Sequence, residues 1–353
     1  MNLGPAVAPL TGLFGAGVLL RRLAYDRRWL TIATPPVQTV AVGGLEVGGS
    51  GKTPVTGRLL EAFLAAGRYP GLLTRGYGRQ TRGLVLRRQG EPAVALCLGD
   101  EPAMLVHGGL DVPVAACERR VLGAYALAEI GADVLVLDDA FSHRAMGRHV
   151  DVVVLRGEAP FGNGHLMPWG SLREPASSLR RARVVWLHFR GEPVSESPPW
   201  FQRLCPQASL VIGRAEPTQA VDRAGRPVAL AGERALGVAG IARPDGFFDT
   251  LTQLGLALVE RRVYRDHHRY SADDAAQLLR LCEATRARFV VTTPKDAVKL
   301  AEVFAGPLVM VGTQATVVQG GAALASALEL PTHSFESCKK TTQQRQGAPD
   351  NYT

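Results

Sequence analysis

Gly48-Gly49-Ser50-Gly51-Lys52-Thr53 follows a β-branched run, Thr39–Val42, and opens a segment of helical length. Small residues let backbone N–H groups surround phosphate oxygens, and the start of a helix adds a favourable dipole. In such a loop Lys52 reaches the β and γ phosphates, and the Thr53 hydroxyl can hold Mg²⁺. The P-loop pattern has Gly five residues before its Gly-Lys pair. This chain has Glu46 there, with Gly43 and Gly44 just upstream, so the loop is a variant. Asp133-Val134-Leu135-Val136-Leu137-Asp138-Asp139 adds four residues of buried type followed by paired acids, and Asp138 is the expected Mg²⁺ anchor. Gly99-Asp100-Glu101-Pro102 and Asp266-His267-His268 follow strand-like segments. An Asp oriented by a His can take a proton from a hydroxyl, although loop acids and histidines are commonly only solvated.

The elements that must position these groups alternate. Strands are expected at Thr39–Val42, Gly71–Thr74, Val134–Leu137, Val152–Leu155, Val184–Leu187 and Leu210–Gly213. Val55–Ala66 and Arg119–Ile130 between them have helical length and apolar periodicity. That alternation predicts an α/β fold with a mostly parallel sheet flanked by helices. Arg214–Gly232, with Pro217, Gly225 and Pro227, reads as a linker or ribbon. Beyond it a smaller α/β unit runs through Leu236–Ala239, Phe248–Leu254, Asp273–Thr285, Phe289–Thr293 and Leu308–Val311. After Leu330 there is no Val, Ile or Leu, and the tail is expected to be disordered.

The 353 residues are 46% hydrophobic and 20% charged, with a mean hydropathy of +0.04, which excludes long-range disorder and a polytopic membrane protein. The net charge of +8 suits anionic partners in general. Basic residues are nearly all arginine; the lysines are Lys52, Lys295, Lys299, Lys339 and Lys340. Five widely spaced cysteines without a CxxC pair argue against a disulfide framework or zinc site and fit a reducing cytoplasm. Leu3 to Leu20 is uncharged and precedes Arg21, Arg22, Arg27 and Arg28, the reverse of a secretory signal. With Pro5 and Pro9 the helix is too short to span a bilayer. It reads as a helix lying in the membrane interface or as a core helix with a basic end.

The run Val47-Gly48-Gly49-Ser50-Gly51-Lys52-Thr53-Pro54 resembles the tetraacyldisaccharide 4′-kinases of lipid A biosynthesis. So, in the same order, do Thr74-Arg75-Gly76-Tyr77-Gly78-Arg79, Gly99-Asp100-Glu101-Pro102, Asp138-Asp139-Ala140-Phe141-Ser142-His143 and Gly162-Asn163-Gly164. Leu172-Arg173-Glu174-Pro175, Asp266-His267-His268 and Thr293-Pro294-Lys295-Asp296-Ala297-Val298-Lys299 complete the set.

The resemblance implies an ATP- and Mg²⁺-dependent kinase at the cytoplasmic face of the inner membrane. It would phosphorylate the 4′-hydroxyl of a tetraacylated, 1-phosphorylated glucosamine disaccharide to give lipid IVA. Val47 to Pro54 would bind ATP, with Lys52 on the phosphates and Thr53 on Mg²⁺. Asp100 would be the base and His267 its dyad partner. Asp138, Asp139 and Glu101 would serve the metal and the phosphate loop. Arg75, Tyr77, His143, Arg173 and Glu174 would belong to substrate-facing or active-site loops. The implied organisation is a membrane-associating helix in 1–28, a P-loop kinase core in 29–213, the linker in 214–232, a C-terminal α/β domain in 233–330 and a tail in 331–353. The site would lie in the cleft between the domains. The chain departs from the family pattern at Gly44, Glu46, Ala140, Ser142 and Pro294, and an alanine at 140 cannot take a positive φ cheaply.

Two other classes remain to be weighed. A P-loop GTPase or metallochaperone-like NTPase would need a guanine-reading motif, and Thr293-Pro294-Lys295-Asp296 is a near miss. A nucleic-acid module would need a basic stripe interleaved with aromatics, and only 6% of the residues are aromatic. Neither a nucleic acid nor an obligate protein partner is expected.

Overall fold

The computed structural model describes residues 7–335. The first six residues of the expected N-terminal helix and the tail from 336 onward lie outside the described residues.

Nine strands form the larger sheet, in the spatial order Thr313–Gln319, Ser209–Pro217, Val184–Phe189, Val150–Arg156, Gln38–Gly43, Val134–Leu137, Pro70–Thr74, Val114–Ala116 and Val85–Arg87. The interior pairings are parallel, and both edge pairings are antiparallel. Strands buried on both faces must be apolar throughout, and Val134–Leu137 is fully buried as Val-Leu-Val-Leu. Helix Lys52–Ala65 covers one face with Val55, Leu59, Leu60 and Phe63. Parallel order brings the carboxyl ends of Gln38–Gly43, Pro70–Thr74 and Val134–Leu137 to one edge, where open α/β sheets bind ligands.

A second sheet of five strands runs Ala257–Val263, Arg234–Ala239, Phe289–Thr292, Leu308–Met310 and Val221–Asp222. Helix Ala272–Thr285 on this sheet opens with a capping box, Ser271 and Asp274 exchanging hydrogen bonds. Thr293 caps helix Pro294–Leu300 by accepting from the Asp296 amide.

Two expected boundaries fall elsewhere. The segment expected as a linker begins inside strand Ser209–Pro217, which continues the large sheet, and Val221–Asp222 already belongs to the small one. Thr313–Gln319 then pairs antiparallel with Ser209–Pro217, so the chain leaves the second sheet and returns to the first before 330. The expected disorder from 331 does not describe its first residues. Thr332–Phe335 is a 3₁₀ turn whose Phe335 is buried in the first core, beneath the guanidinium of Arg58 at 5.0 Å. A search for Val, Ile and Leu alone passes over that phenylalanine.

The amino-terminal helix spans Ala8–Asp26. It leaves Leu10, Leu13, Leu19 and Leu20 at least half exposed and buries Tyr25. Among the described residues no helix is long and apolar enough to cross a membrane.

Candidate active site

The phosphate loop turns on glycines with left-handed backbone, Gly48 at φ +85° and Gly51 at φ +88°. A Cβ on Gly51 would also strike the imidazole of His188, near the end of strand Val184–Phe189. Gly51 is the N-cap of helix Lys52–Ala65, so the free amides of the first turn point toward the loop. Pro54 in that turn removes an N–H that has no helical partner anyway. The hydroxyl of Ser50 is buried with no hydrogen-bond partner among the described residues, as a group awaiting a phosphate oxygen would be. Val47 is half exposed, and its amide donates to the Ser171 carbonyl at 2.9 Å. Glu46, in place of the usual glycine, is buried and accepts two hydrogen bonds from Arg156, at 2.8 and 3.0 Å, and one from Ser171 at 2.6 Å. Burial acts to raise its pKa, but these partners hold it below the usual range. The departure at 46 is thus a charge with its own counter-ion, which also ties the loop to strand Val150–Arg156.

Asp138 and Asp139 leave the end of strand Val134–Leu137 in opposite electrostatic conditions. Asp138 is buried and accepts from the Thr56 hydroxyl at 3.1 Å. Burial, with Glu101 and Asp139 beside it, pushes its pKa up to about 8. Asp139 takes the positive φ, +44°, so Ala140 is spared that strain. Burial opposes its ionisation, but Arg173, bidentate at 2.7 and 2.8 Å, and Lys52 at 3.7 Å bring its pKa down to about 2. The buried Arg120 donates to both backbone carbonyls, of Asp138 at 3.0 Å and Asp139 at 3.1 Å, and so fixes the turn.

Among the described residues no three His, Cys, Asp or Glu side chains cluster to hold a metal. Mg²⁺ does not require that; it commonly takes one or two carboxylates together with substrate phosphates and water. Asp138 and Glu101 provide hard oxygens side by side, and burial together with Glu101 raises the pKa of Asp138, an unfavourable concentration of negative charge that a divalent cation would relieve. The donor set therefore fits Mg²⁺.

Next to Glu101, Asp100 starts helix Asp100–His107 directly after Gly99, at φ +102°, where a Cβ would meet the Tyr77 carbonyl. Its Oδ2 lies 3.0 Å from His267 Nδ1 and accepts from Lys299 Nζ at 3.1 Å. Lys295 Nζ donates to Asp266 at 2.9 Å and lies 3.3 Å from His267 Nε2. An ammonium only donates, so Nε2 is the acceptor toward Lys295 and Nδ1 is the ring nitrogen whose N–H is directed at Asp100. Burial acts to raise the pKa of Asp100, and His267 and Lys299 outweigh it, holding the carboxylate ionised. His267 itself has φ +61°, and its ring meets the edge of Tyr77 at 4.8 Å.

The remaining expected residues divide. Arg75 and Tyr77 are exposed; Tyr77 lies against His267, and Arg75 is within electrostatic reach of Arg120 and His143. Burial and Arg120 push His143 down to about 4. Arg173 grips Asp139, whereas Glu174 is buried and engaged by Arg181 at 2.9 Å, bracing the loop. Arg120, Thr56, His188, Lys295 and Lys299 were not singled out from sequence as site groups. Only the two lysines carried a signal, their rarity in an arginine-rich chain. Asp296 is wholly buried, accepting from the Gly240 amide and the Thr293 hydroxyl, and is not available to read a guanine.

The family model described as tetraacyldisaccharide-1-P 4′-kinase matches residues 3–330. The chain is 39% identical over 329 residues to the tetraacyldisaccharide 4′-kinase of Anaeromyxobacter dehalogenans strain 2CP-C, covering 89% of this chain and 87% of that protein. It is 36% identical over 302 residues to the protein of the same name from Chromobacterium violaceum, covering 84% of each. A crystal structure of LpxK from Aquifex aeolicus, described as an apo form in complex with ATP, superposes with a TM-score of 0.74. It is 23% identical, covers 94% of this chain and 98% of that one, and shares the fold.

Proposed function

The chain belongs to the tetraacyldisaccharide-1-P 4′-kinase family, and from that premise we propose how its own side chains carry out the transfer. The reaction moves the γ-phosphate of ATP to the 4′-hydroxyl of tetraacyldisaccharide 1-phosphate, giving lipid IVA in lipid A biosynthesis. The observation that carries the residue assignment is the Asp100–His267 pair, 3.0 Å apart and adjoining Glu101, which lies beside Asp138, with one carboxylate oxygen of Asp100 unused.

Asp100 accepts the proton of the 4′-hydroxyl on Oδ1 as the oxygen–phosphorus bond forms and ADP departs. His267 orients the carboxylate through its Nδ1–H. Val47 to Pro54 enclose the phosphates, and Ser50 donates its otherwise unpartnered hydroxyl. Lys52 exchanges its 3.7 Å contact with Asp139 for phosphate oxygens, while Arg173 keeps Asp139 compensated. Asp138, Glu101 and Thr53 would hold Mg²⁺, which supplies charge neutralisation on the transferring phosphate. Arg75 and Tyr77 border the acceptor side, where a flat aromatic surface suits a sugar ring. Positioning and electrostatics suffice for this chemistry, because phosphoryl transfer asks for little covalent participation.

The substrate's four acyl chains keep it in the bilayer, so the enzyme must come to the membrane. The exposed leucines of helix Ala8–Asp26 and its arginines suit a peripheral contact with an anionic surface at the cytoplasmic face of the inner membrane. Incubation with Mg²⁺, γ-labelled ATP and tetraacyldisaccharide 1-phosphate in detergent should place label in a bis-phosphorylated lipid on a thin-layer plate. Absence of transfer would overturn the assignment.

A further inference from the structure

Two aspartates flank the reaction centre, and basic residues hold them in different ways. Arg173 donates to both oxygens of Asp139, at 2.7 and 2.8 Å. Lys299 donates to one oxygen of Asp100, Oδ2 at 3.1 Å, the same atom that faces His267 Nδ1 at 3.0 Å. Oδ1 of Asp100 makes no hydrogen bond among the described residues, and the residue keeps 7% exposure. Lys299 is itself well enclosed; its side chain is 12% exposed, and it lies 4.0 Å from the buried Asp296.

A guanidinium presents parallel N–H groups that match both oxygens of a carboxylate, whereas an ammonium is a compact donor that can satisfy one. We infer that Lys299 is a positioning residue whose one-point contact fixes Asp100 while leaving Oδ1 open to the acceptor hydroxyl, a task arginine cannot perform. Lys295 assists from the far side by occupying His267 Nε2, so that the ring proton is committed to Asp100. The three lysines within the described residues, Lys52, Lys295 and Lys299, thus all lie at the site, and at 299 the residue type carries a geometric requirement. The inference rests on Asp100 as the accepting base.

The test measures steady-state kinetics on the full chain with ATP and the lipid acceptor. Lys299→Arg keeps the charge and should lower kcat about 10²-fold with KM for ATP unchanged, because the fork closes the base. Lys299→Ala should lose a similar factor and recover part of it with added methylamine but not with guanidine. Wild-type kcat in Lys299→Arg, or equal rescue by both amines, would overturn the inference. If instead Asp100→Ala retained full activity, the base assignment itself would fail, a result separable from either lysine outcome.

Discussion

Asp100 Oδ2 and His267 Nδ1 are 3.0 Å apart although 167 residues separate them in the chain. Asp100 belongs to the unit built on the larger sheet and His267 to the unit built on the smaller one. The pair therefore forms only where the two units meet, so the proposed base and the inter-unit contact share one hydrogen bond.

Removing the base should cost rate and not nucleotide affinity. Asp100→Ala is expected to lower kcat by roughly 10²–10⁴. His267→Ala should cost less, and the double variant little more than Asp100→Ala, because the histidine acts through the aspartate. ATP affinity by calorimetry should be unchanged in all three. Additive losses would show that His267 has an independent role.

Stability should fall as the medium is acidified through the range in which buried histidines resist protonation. Burial holds His188 down to about 4, against an ordinary value of about 6.5. Above pH 6.5 the ring is neutral in both folded and unfolded chains and contributes nothing. Between there and pH 4 the unfolded state takes a proton that the folded state refuses, so acidification favours unfolding. The full effect is about 3 kcal/mol once pH is below 4. His143, pushed down to about 4 by burial and Arg120, acts in the same direction. Urea denaturation at pH 7.5 and pH 5 reads this slope, and His188→Gln should flatten it. An unaltered slope in that variant would remove His188 as the cause.

The exposed leucines of helix Ala8–Asp26 should govern lipid association alone. Leu13 and Leu20 are 73% and 66% exposed, so glutamate at both positions leaves the core untouched. Partitioning onto vesicles of anionic phospholipid should fall at least about tenfold, since two apolar side chains are lost from the interface. ATP binding should be retained. Undiminished partitioning would assign the helix to another surface.

Local features were legible in sequence where they depend on neighbours along the chain. Val134–Leu137 was placed to the residue because a doubly buried strand must be apolar throughout. The phosphate loop was equally plain, since glycine spacing, lysine and helix start are contiguous. The partners that make the site work are not. Arg120 reaches the Asp138 and Asp139 carbonyls from a helix, and an arginine on a helix looks like any solvated one. Glu46 read as a departure because its counter-ion, Arg156, is 110 residues away. Dyad geometry likewise depends on how two units meet, which periodicity does not encode.

The return of Thr313–Gln319 to the first sheet has a consequence for biosynthesis. The phosphate-binding unit is interrupted by the second one, and its outermost strand and the Phe335 plug emerge from the ribosome only after the second sheet has been made. The helix behind the phosphate loop has its full apolar cover only after synthesis has passed residue 335. The unit begun first is completed last, so a chain cut before 313 would leave an unpaired strand edge and an open core.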